Sequence, residues 1–212
     1  MQKEKILSDE EIEILQEMMN ISFGKSAADL ADVIDTHVVL SVPFIRIMQV
    51  PELPTYFKDH VKEYKTVSVI EQKFMGRFKG DALLVFSSGA GRELIKMLHQ
   101  DTRSGFESDP IDILERETLM EVGNILIGAC VGKLAELLKD VVSYTPPAIV
   151  VERDYDNAVS VTRYDPNDTA IVLKTDFCFD EGDVSGSLLL ITSNDSVSWM
   201  KEALRLFIEQ YE

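Results

Sequence analysis

The sequence predicts an α+β fold: a pseudo-two-fold duplicated α/β unit whose continuous, mostly antiparallel sheet carries two long helices on one face. Three observations predict it. A long helical pattern, a run of strand signals and a shorter helix occur twice in the same order along the 212 residues. Starting from Glu17 and Glu121, the pairs Asn20/Asn124, Ile21/Ile125, Gly24/Gly128, Leu30/Leu134 and Ala31/Ala135 are identical. Farther on, GDALLVFSS from Gly80 meets GSLLLITSN from Gly186 with a two-residue slip. Self-similarity at half the chain length indicates two copies of one unit, 8–99 and 109–210, joined by a connector at 100–108. Each copy is small, and joining the two sheets buries more surface than either could alone, so one domain over 1–212 is expected.

The elements follow in order. Ser8 and Glu11 form an S-x-x-E capping box, with Asp9 and Glu10 suited to the positive end of the helix dipole. Helical spacing then runs through Ile12, Leu15, Met19, Phe23, Ser26/Ala27, Leu30 and Ile34, a helix of about 25 residues. Strands are expected at Thr36–Met48, Lys65–Phe74 and Asp81–Ser88, and a helix at Gly89–His99. Gln100–Pro110 carries turn chemistry, Asp109 suits an N-cap and Pro110 the first helical position. A second long helix to about Lys139 follows. Strands are then expected near Ser143–Arg153, Ala158–Tyr164, Asp168–Phe177 and Val184–Thr192, and a last helix at Asp195–Gln210.

The formal net charge of −16 argues against nucleic-acid binding, which needs clustered Lys and Arg, while an acidic field favours basic partners. The N-terminal stretch lacks an apolar run of signal-peptide length, and no stretch reads as the roughly 20 apolar residues of a membrane span; a cytoplasmic protein without membrane insertion is expected. Cys130 and Cys178 form no CxxC or zinc pattern, and His37, His60 and His99 lie in no ligand motif, so no metal site is expected.

The most informative feature is a polar pair built twice. Glu17 and Asn20 sit three residues apart on the first long helix, Glu121 and Asn124 on the second, and each Asn precedes a proline, Pro43 or Pro147, by the same interval. At about 100° per residue with Ile12 at zero, Asn20 lies near 80°, Gly24 near 120°, Glu17 near 140° and Ala28 near 160°, all on one stripe beside the buried face. The second helix repeats that stripe with Glu121, Asn124, Gly128 and Gly132. Glycine in a helix interior costs about 1 kcal/mol against alanine, so small residues beside a carboxylate and an amide suggest the close approach of another backbone. The plainer alternative is that these small residues pack on the protein's own strands.

The chemistry open to such a pair is narrow. An amide has no useful pKa, so Asn cannot act as a general acid or base, but it can accept from a water while its NH₂ donates elsewhere. Orienting a water suits phosphoryl transfer, where positioning matters more than deprotonation. The Glu can hold a cationic partner group. The chain has no GxxxxGK[ST], G-x-S-x-G or HExxH motif, so the phosphoryl group and its cation must arrive on a partner.

A long helix with E-x-x-N followed 22 residues later by Pro, present twice, resembles the CheC/CheX/FliY phosphatases of chemotaxis, and the tandem arrangement most resembles CheC. The family pattern has Asp or Ser four residues before the Glu, where this chain has Glu13 and Glu117. The resemblance implies removal of phosphate from the phospho-aspartate of a CheY-type response regulator. It implies that Asn20 and Asn124 position the attacking water and that Glu17 and Glu121 pair with a lysine of the regulator. Glu13, Gly24, Ala28, Glu117, Gly128 and Gly132 would then face the partner, and the magnesium would be supplied by the regulator. Some members also bind the receptor deamidase CheD, a second partner implied in the same way.

Two other readings stand beside this one. The flagellar switch protein FliM has a related fold without phosphatase activity, so a non-catalytic docking or adaptor module of the flagellar switch or chemotaxis system is the alternative. A hydrolase using Glu13 and Glu17 as paired carboxylates is the third, although such neighbours also describe an ordinary charge cluster on an exposed helix.

Overall fold

Among the described residues of the computed structural model, two long helices lie side by side across an eight-stranded antiparallel sheet. Residues 6–61, 67–87, 89–98, 113–152, 165–166, 169–179, 184–192 and 194–211 are described. The expected strand Ala158–Tyr164, the connector 100–108 and the Asp109–Pro110 cap lie outside them. In chain order the elements are α1 (Asp9–Ile34), β1 (Val38–Leu40), β2 (Phe44–Gln49), α2 (Leu53–Val61), β3 (Val67–Met75), β4 (Gly80–Ser87), α3 (Ala90–Leu98), α4 (Ile113–Leu137), β5 (Ser143–Tyr144), β6 (Ala148–Glu152), β7 (Thr169–Phe179), β8 (Val184–Thr192) and α5 (Asn194–Tyr211).

The ends of the long helices follow from local chemistry. At the start of α1, Ser8 Oγ accepts from the Glu11 N–H at 3.1 Å and Glu11 Oε2 accepts from the Ser8 N–H at 2.7 Å, so two orphan donors are satisfied reciprocally. Both long helices stop in the left-handed region, at Asp35 (φ 49°) and at Lys139 (φ 56°). The next N–H closes the last turn in each case, Thr36 to Ala31 at 3.3 Å and Asp140 to Ala135 at 2.8 Å.

Sheet order is β1/β2–β7–β8–β4–β3–β5/β6, with every pair antiparallel. The order reads alike from both edges: the strands after α1 pair with β7, and those after α4 pair with β3. Each of these edge segments was expected as one strand and is split in two. Leu40 faces Phe177 and Phe44 faces Lys174, four steps against three. Tyr144 faces Phe74 and Ala148 faces Glu71, again four against three. The extra residue falls at Pro43 in one segment and at Pro146–Pro147 in the other. Proline cannot donate to a ladder, so the strand bulges there on the sheet edge.

A second departure is the stretch Val50–Val61, which has no element in the sequence reading. It forms a 3₁₀ turn (Val50–Glu52) and α2. Val50, Leu53, Tyr56 and Phe57 cover the sheet face opposite the long helices, against Leu83, Val85, Val172 and Leu189. Alternation along β4 sends Ala82, Leu84 and Phe86 to the other face, where α1, α3, α4 and α5 bury Leu15, Phe23, Leu94, Leu126, Ile127 and Met200.

The helix–helix seam is built from small side chains. Ser22, Ser26 and Cys130 are all fully buried, and Ser26 Oγ lies 2.9 Å from both the Ser22 and the Ala129 carbonyl oxygens. Burial pushes the Cys130 thiol up to about 12, against a smaller downward pull from its hydrogen bond with Ser26, so the thiol stays protonated and inert. By length and composition α4 could cross a membrane, which the sequence reading did not allow for. It instead lies in the core, with Leu119, Val122, Leu126, Ile127, Val131 and Leu134 all buried.

Asp140 ties the end of α4 to the β3–β4 turn. Its Oδ2 accepts from the Phe78 N–H at 2.7 Å and its Oδ1 from Arg77 Nε at 3.3 Å. Burial acts to raise its pKa, but the Phe78 and Val141 backbone donors and the Arg77 guanidinium together hold the carboxyl below its ordinary value. A carboxylate depressed on folding stabilises the native state above its unfolded pKa, and that stability is lost as pH falls through the folded value. Asp140→Ala should therefore cost about 1–3 kcal/mol at neutral pH by orphaning the Phe78 N–H. Asp140→Asn should flatten the loss of urea-unfolding stability that the unsubstituted protein shows below about pH 4.

Candidate functional site

Glu13, Glu17, Asn20, Gly24 and Ala28 are all exposed along α1, and Glu117, Glu121 and Asn124 are exposed along α4, while Gly128 and Gly132 are half-buried. The buried face of α1 is broader than expected, since Met18 and Ser22 join Leu15, Met19 and Phe23 inside. That breadth fixes where the polar stripe points. Ser26 meets α4 on one flank of α1, with Ser22 buried one turn before it, and at about 100° per residue Asn20 and Gly24 fall on the opposite flank. Val122, Leu126 and Cys130 take the matching buried places on α4. The two Glu–Asn pairs thus face outward, away from the seam between the helices.

The small residues of the stripe divide into two kinds. Beyond the helix's own nearby backbone and its chain neighbours, a Cβ added at Gly24 or at Gly128 would meet no atom within 4 Å. These two glycines therefore border open space and do not serve packing on the protein's own strands. Gly132 differs, because a Cβ there would come 3.5 Å from the Tyr144 hydroxyl, which also donates to the Gly128 carbonyl at 3.3 Å. Burial pushes the Tyr144 phenol up to about 12, so it remains a donor at neutral pH. Tyr144 thus fills the lower end of the second stripe and narrows what a partner could reach.

Backbone carbonyls at or just before the prolines accept from glutamines near the two pairs. Gln16, beside Glu17, donates from Nε2 to the Pro43 carbonyl at 2.7 Å. In the other half Gln72 of β3, buried at 2 % exposure, lies with Nε2 2.9 Å from the Thr145 carbonyl and 2.8 Å from Asn124 Oδ1. Neither glutamine was singled out in the sequence. Gln72 offered a signal, as an uncharged polar residue at an inward position of a strand whose neighbouring inward positions hold the apolar Ile70 and Phe74. The Arg92–Glu115 pair at 2.6 Å, which links α3 to α4, was equally invisible.

A groove of about 280 Å³ is lined by Arg77, Leu137, Trp199, Leu206 and Phe207, and it holds none of the candidate residues. Among the described residues no three His, Cys, Asp or Glu side chains cluster as metal ligands would. What the arrangement offers is two exposed amide–carboxylate pairs above open backbone, suited to entering another protein's site.

A model of the CheC-like family matches residues 114–151, a span that contains Glu117, Glu121, Asn124, Gly128, Gly132 and Pro147. In sequence this chain resembles the CheC-like family. It is 26% identical over 133 residues to the CheY-P phosphatase CheC of Bacillus subtilis, covering 63% of this chain and 62% of that protein. The match thus spans less than two thirds of the curated relative's length. The fold is that of Thermotoga maritima FliY, with a TM-score of 0.69 at 20% identity over 95% of this chain and 98% of that one. It is also that of the FliM middle domain from H. pylori, with a TM-score of 0.61 at 10% identity over 93% and 99%. The CheX–CheY–BeF3–Mg complex from Borrelia burgdorferi aligns with a TM-score of 0.51 at 18% identity over 81% and 96%.

The open glycines make a prediction. Gly24→Ala and Gly128→Ala should each stabilise the isolated protein by roughly 1 kcal/mol, because the added methyl improves helix propensity and meets nothing. Chemical denaturation measures this, and a loss of stability would mean that these positions are packed.

Proposed function

We propose that the chain is a phosphatase that hydrolyses the phospho-aspartate of a CheY-type response regulator, in the cytoplasm, as part of chemotaxis or related two-component signalling. The observation that carries this reading is the pair of outward-facing Glu–Asn sites beside unpacked glycines, in a chain similar to a CheY-P phosphatase. In this reading Asn20 or Asn124 enters beside the acyl phosphate and orients a water. The water oxygen forms a bond to phosphorus, the bond from phosphorus to the aspartyl oxygen breaks, and inorganic phosphate and a free carboxylate leave. Gln72 uses one lone pair of Asn124 Oδ1, so the second can accept from that water and the NH₂ can donate to phosphoryl oxygens. Glu17 and Glu121 hold the complex by pairing with a regulator lysine, and Glu13, Gly24, Ala28, Glu117, Gly128 and Gly132 form the contact surface. Magnesium remains the regulator's own. The same reading treats 8–99 and 109–210 as a duplication within one domain, supported by the sheet order that reads alike from both edges.

The likeness to the FliM middle domain favours a second reading, a docking module that binds without catalysis. Decay of a phosphorylated response regulator separates the two. Asn20→Ala and Asn124→Ala should each keep part of the activity, and the double variant should lose nearly all of it while still binding the regulator. Glu17→Ala should also weaken the complex. Binding by the unsubstituted protein with no gain in phosphate release would favour the docking module.

A further inference from the structure

The two Glu–Asn pairs match in sequence but differ in what stands behind them. A backbone carbonyl can only accept, so the Thr145 oxygen fixes which end of the buried Gln72 amide is nitrogen. The same nitrogen, 2.8 Å from the Asn124 amide, then requires an acceptor, so Asn124 must turn its oxygen inward and its NH₂ outward. Behind Asn20 the arrangement is different. Phe74 faces Tyr144 and Phe177 faces Leu40, so the place of Gln72 in β3 is taken in β7 by Thr175. Thr175 Oγ1 donates to the Ser41 carbonyl at 2.8 Å, the counterpart of the Thr145 carbonyl. Threonine therefore satisfies the carbonyl next to the bulge as Gln72 does, but it ends there. Among the described residues no hydrogen bond reaches the Asn20 amide.

Packing beneath the helices accounts for the reach. A Cβ at Gly123, next to Asn124, would lie 2.5 Å from Ile70 Cδ1 and 3.4 Å from Leu84 Cδ2, so α4 presses directly on β3 and β4. The corresponding place on α1 holds Met19, fully buried, whose side chain occupies the space that the glycine leaves for the sheet. Close approach at Gly123 brings Asn124 within range of a side chain rooted in the sheet, and the methionine gives Asn20 no such approach.

We propose that Gln72 is a positioning residue of the second site: it locks the flip and rotation of the Asn124 amide before any partner arrives. Among the described residues the first site has no such support, so Asn20 must find its orientation within the complex. The proposal rests on the phosphatase reading for its consequence, but its structural content stands apart from that reading.

Gln72→Thr is the informative substitution, because the first half already shows that threonine can hold the matching carbonyl at this depth in the sheet. Two measurements are needed. Side-chain amide NMR reports the orientation without catalysis: in the unsubstituted protein the Asn124 NH₂ should be rigid and the Asn20 NH₂ mobile on the picosecond–nanosecond timescale, and Gln72→Thr should make Asn124 as mobile as Asn20. Regulator dephosphorylation reports the consequence. In an Asn20→Ala background, where only the second site works, Gln72→Thr should lower kcat about tenfold with KM unchanged, as expected when a reacting group is held less well. In an Asn124→Ala background it should cause no further loss. An equally rigid Asn124 amide in Gln72→Thr, or an unchanged kcat in the Asn20→Ala background, would overturn the proposal and leave Gln72 as a prop for the Thr145 carbonyl. Failure of the unsubstituted protein to dephosphorylate the regulator would overturn the phosphatase reading instead, with the NMR result deciding the orientation on its own.

Discussion

The edge strands depend on pairing across the two halves of the chain. The segment after α1 is hydrogen-bonded to β7, and the segment after α4 to β3, so neither half closes its own sheet edge. In both places the ladder gains one residue at a proline, and the strand bows outward beside a long helix. Beside each bulge a backbone carbonyl meets a glutamine, on α1 in one half and on β3 in the other. Pro43 offers its oxygen to Gln16, and Thr145 offers its oxygen to Gln72. The constant interval between each Asn and its proline thus has a physical reading: the helix must run a fixed length, turn in the left-handed region, and return along the sheet edge before the bulge can stand beside the amide.

The helix pair converts that edge geometry into two separate surfaces. Ser22, Ser26 and Cys130 are small enough for α1 and α4 to meet closely, which turns each polar stripe away from the seam and toward its own edge of the sheet. A partner engaging Asn20 and a partner engaging Asn124 would then approach from different sides. In the phosphatase reading we propose, the net charge of −16 would favour encounter with a partner whose reacting centre carries cationic groups.

The two Glu–Asn pairs are identical in their side chains and differ in what stands behind them. One glycine decides much of this. At Gly123 the helix rests on Ile70 and Leu84, and the neighbouring asparagine falls within reach of a buried glutamine. At Met19 a side chain fills the same layer, and the opposite strand offers Thr175, which stops at the bulge carbonyl. Duplicated motifs therefore do not guarantee duplicated preorganisation, since the orientation of an amide depends on residues a long way off in sequence.

The sequence by itself determined the start of α1, the two polar stripes and the exposure of Glu17, Asn20, Glu121 and Asn124, because capping chemistry and helical periodicity are local and act within a few residues. It also located β3, β4, β7, β8, α3 and α5 to within a few residues, since runs of apolar or alternating side chains declare themselves. It did not reveal the helical stretch Val50–Val61, where Pro51 and Pro54 look like loop chemistry until Leu53, Tyr56 and Phe57 find an uncovered sheet face to bury. It read each edge segment as one strand, because the count of four residues against three exists only once the opposite strand is in place. Gln72 was beyond its reach for the same reason: 52 residues separate it from Asn124 along the chain, and only the close packing of α4 on β3 lets the two amides meet.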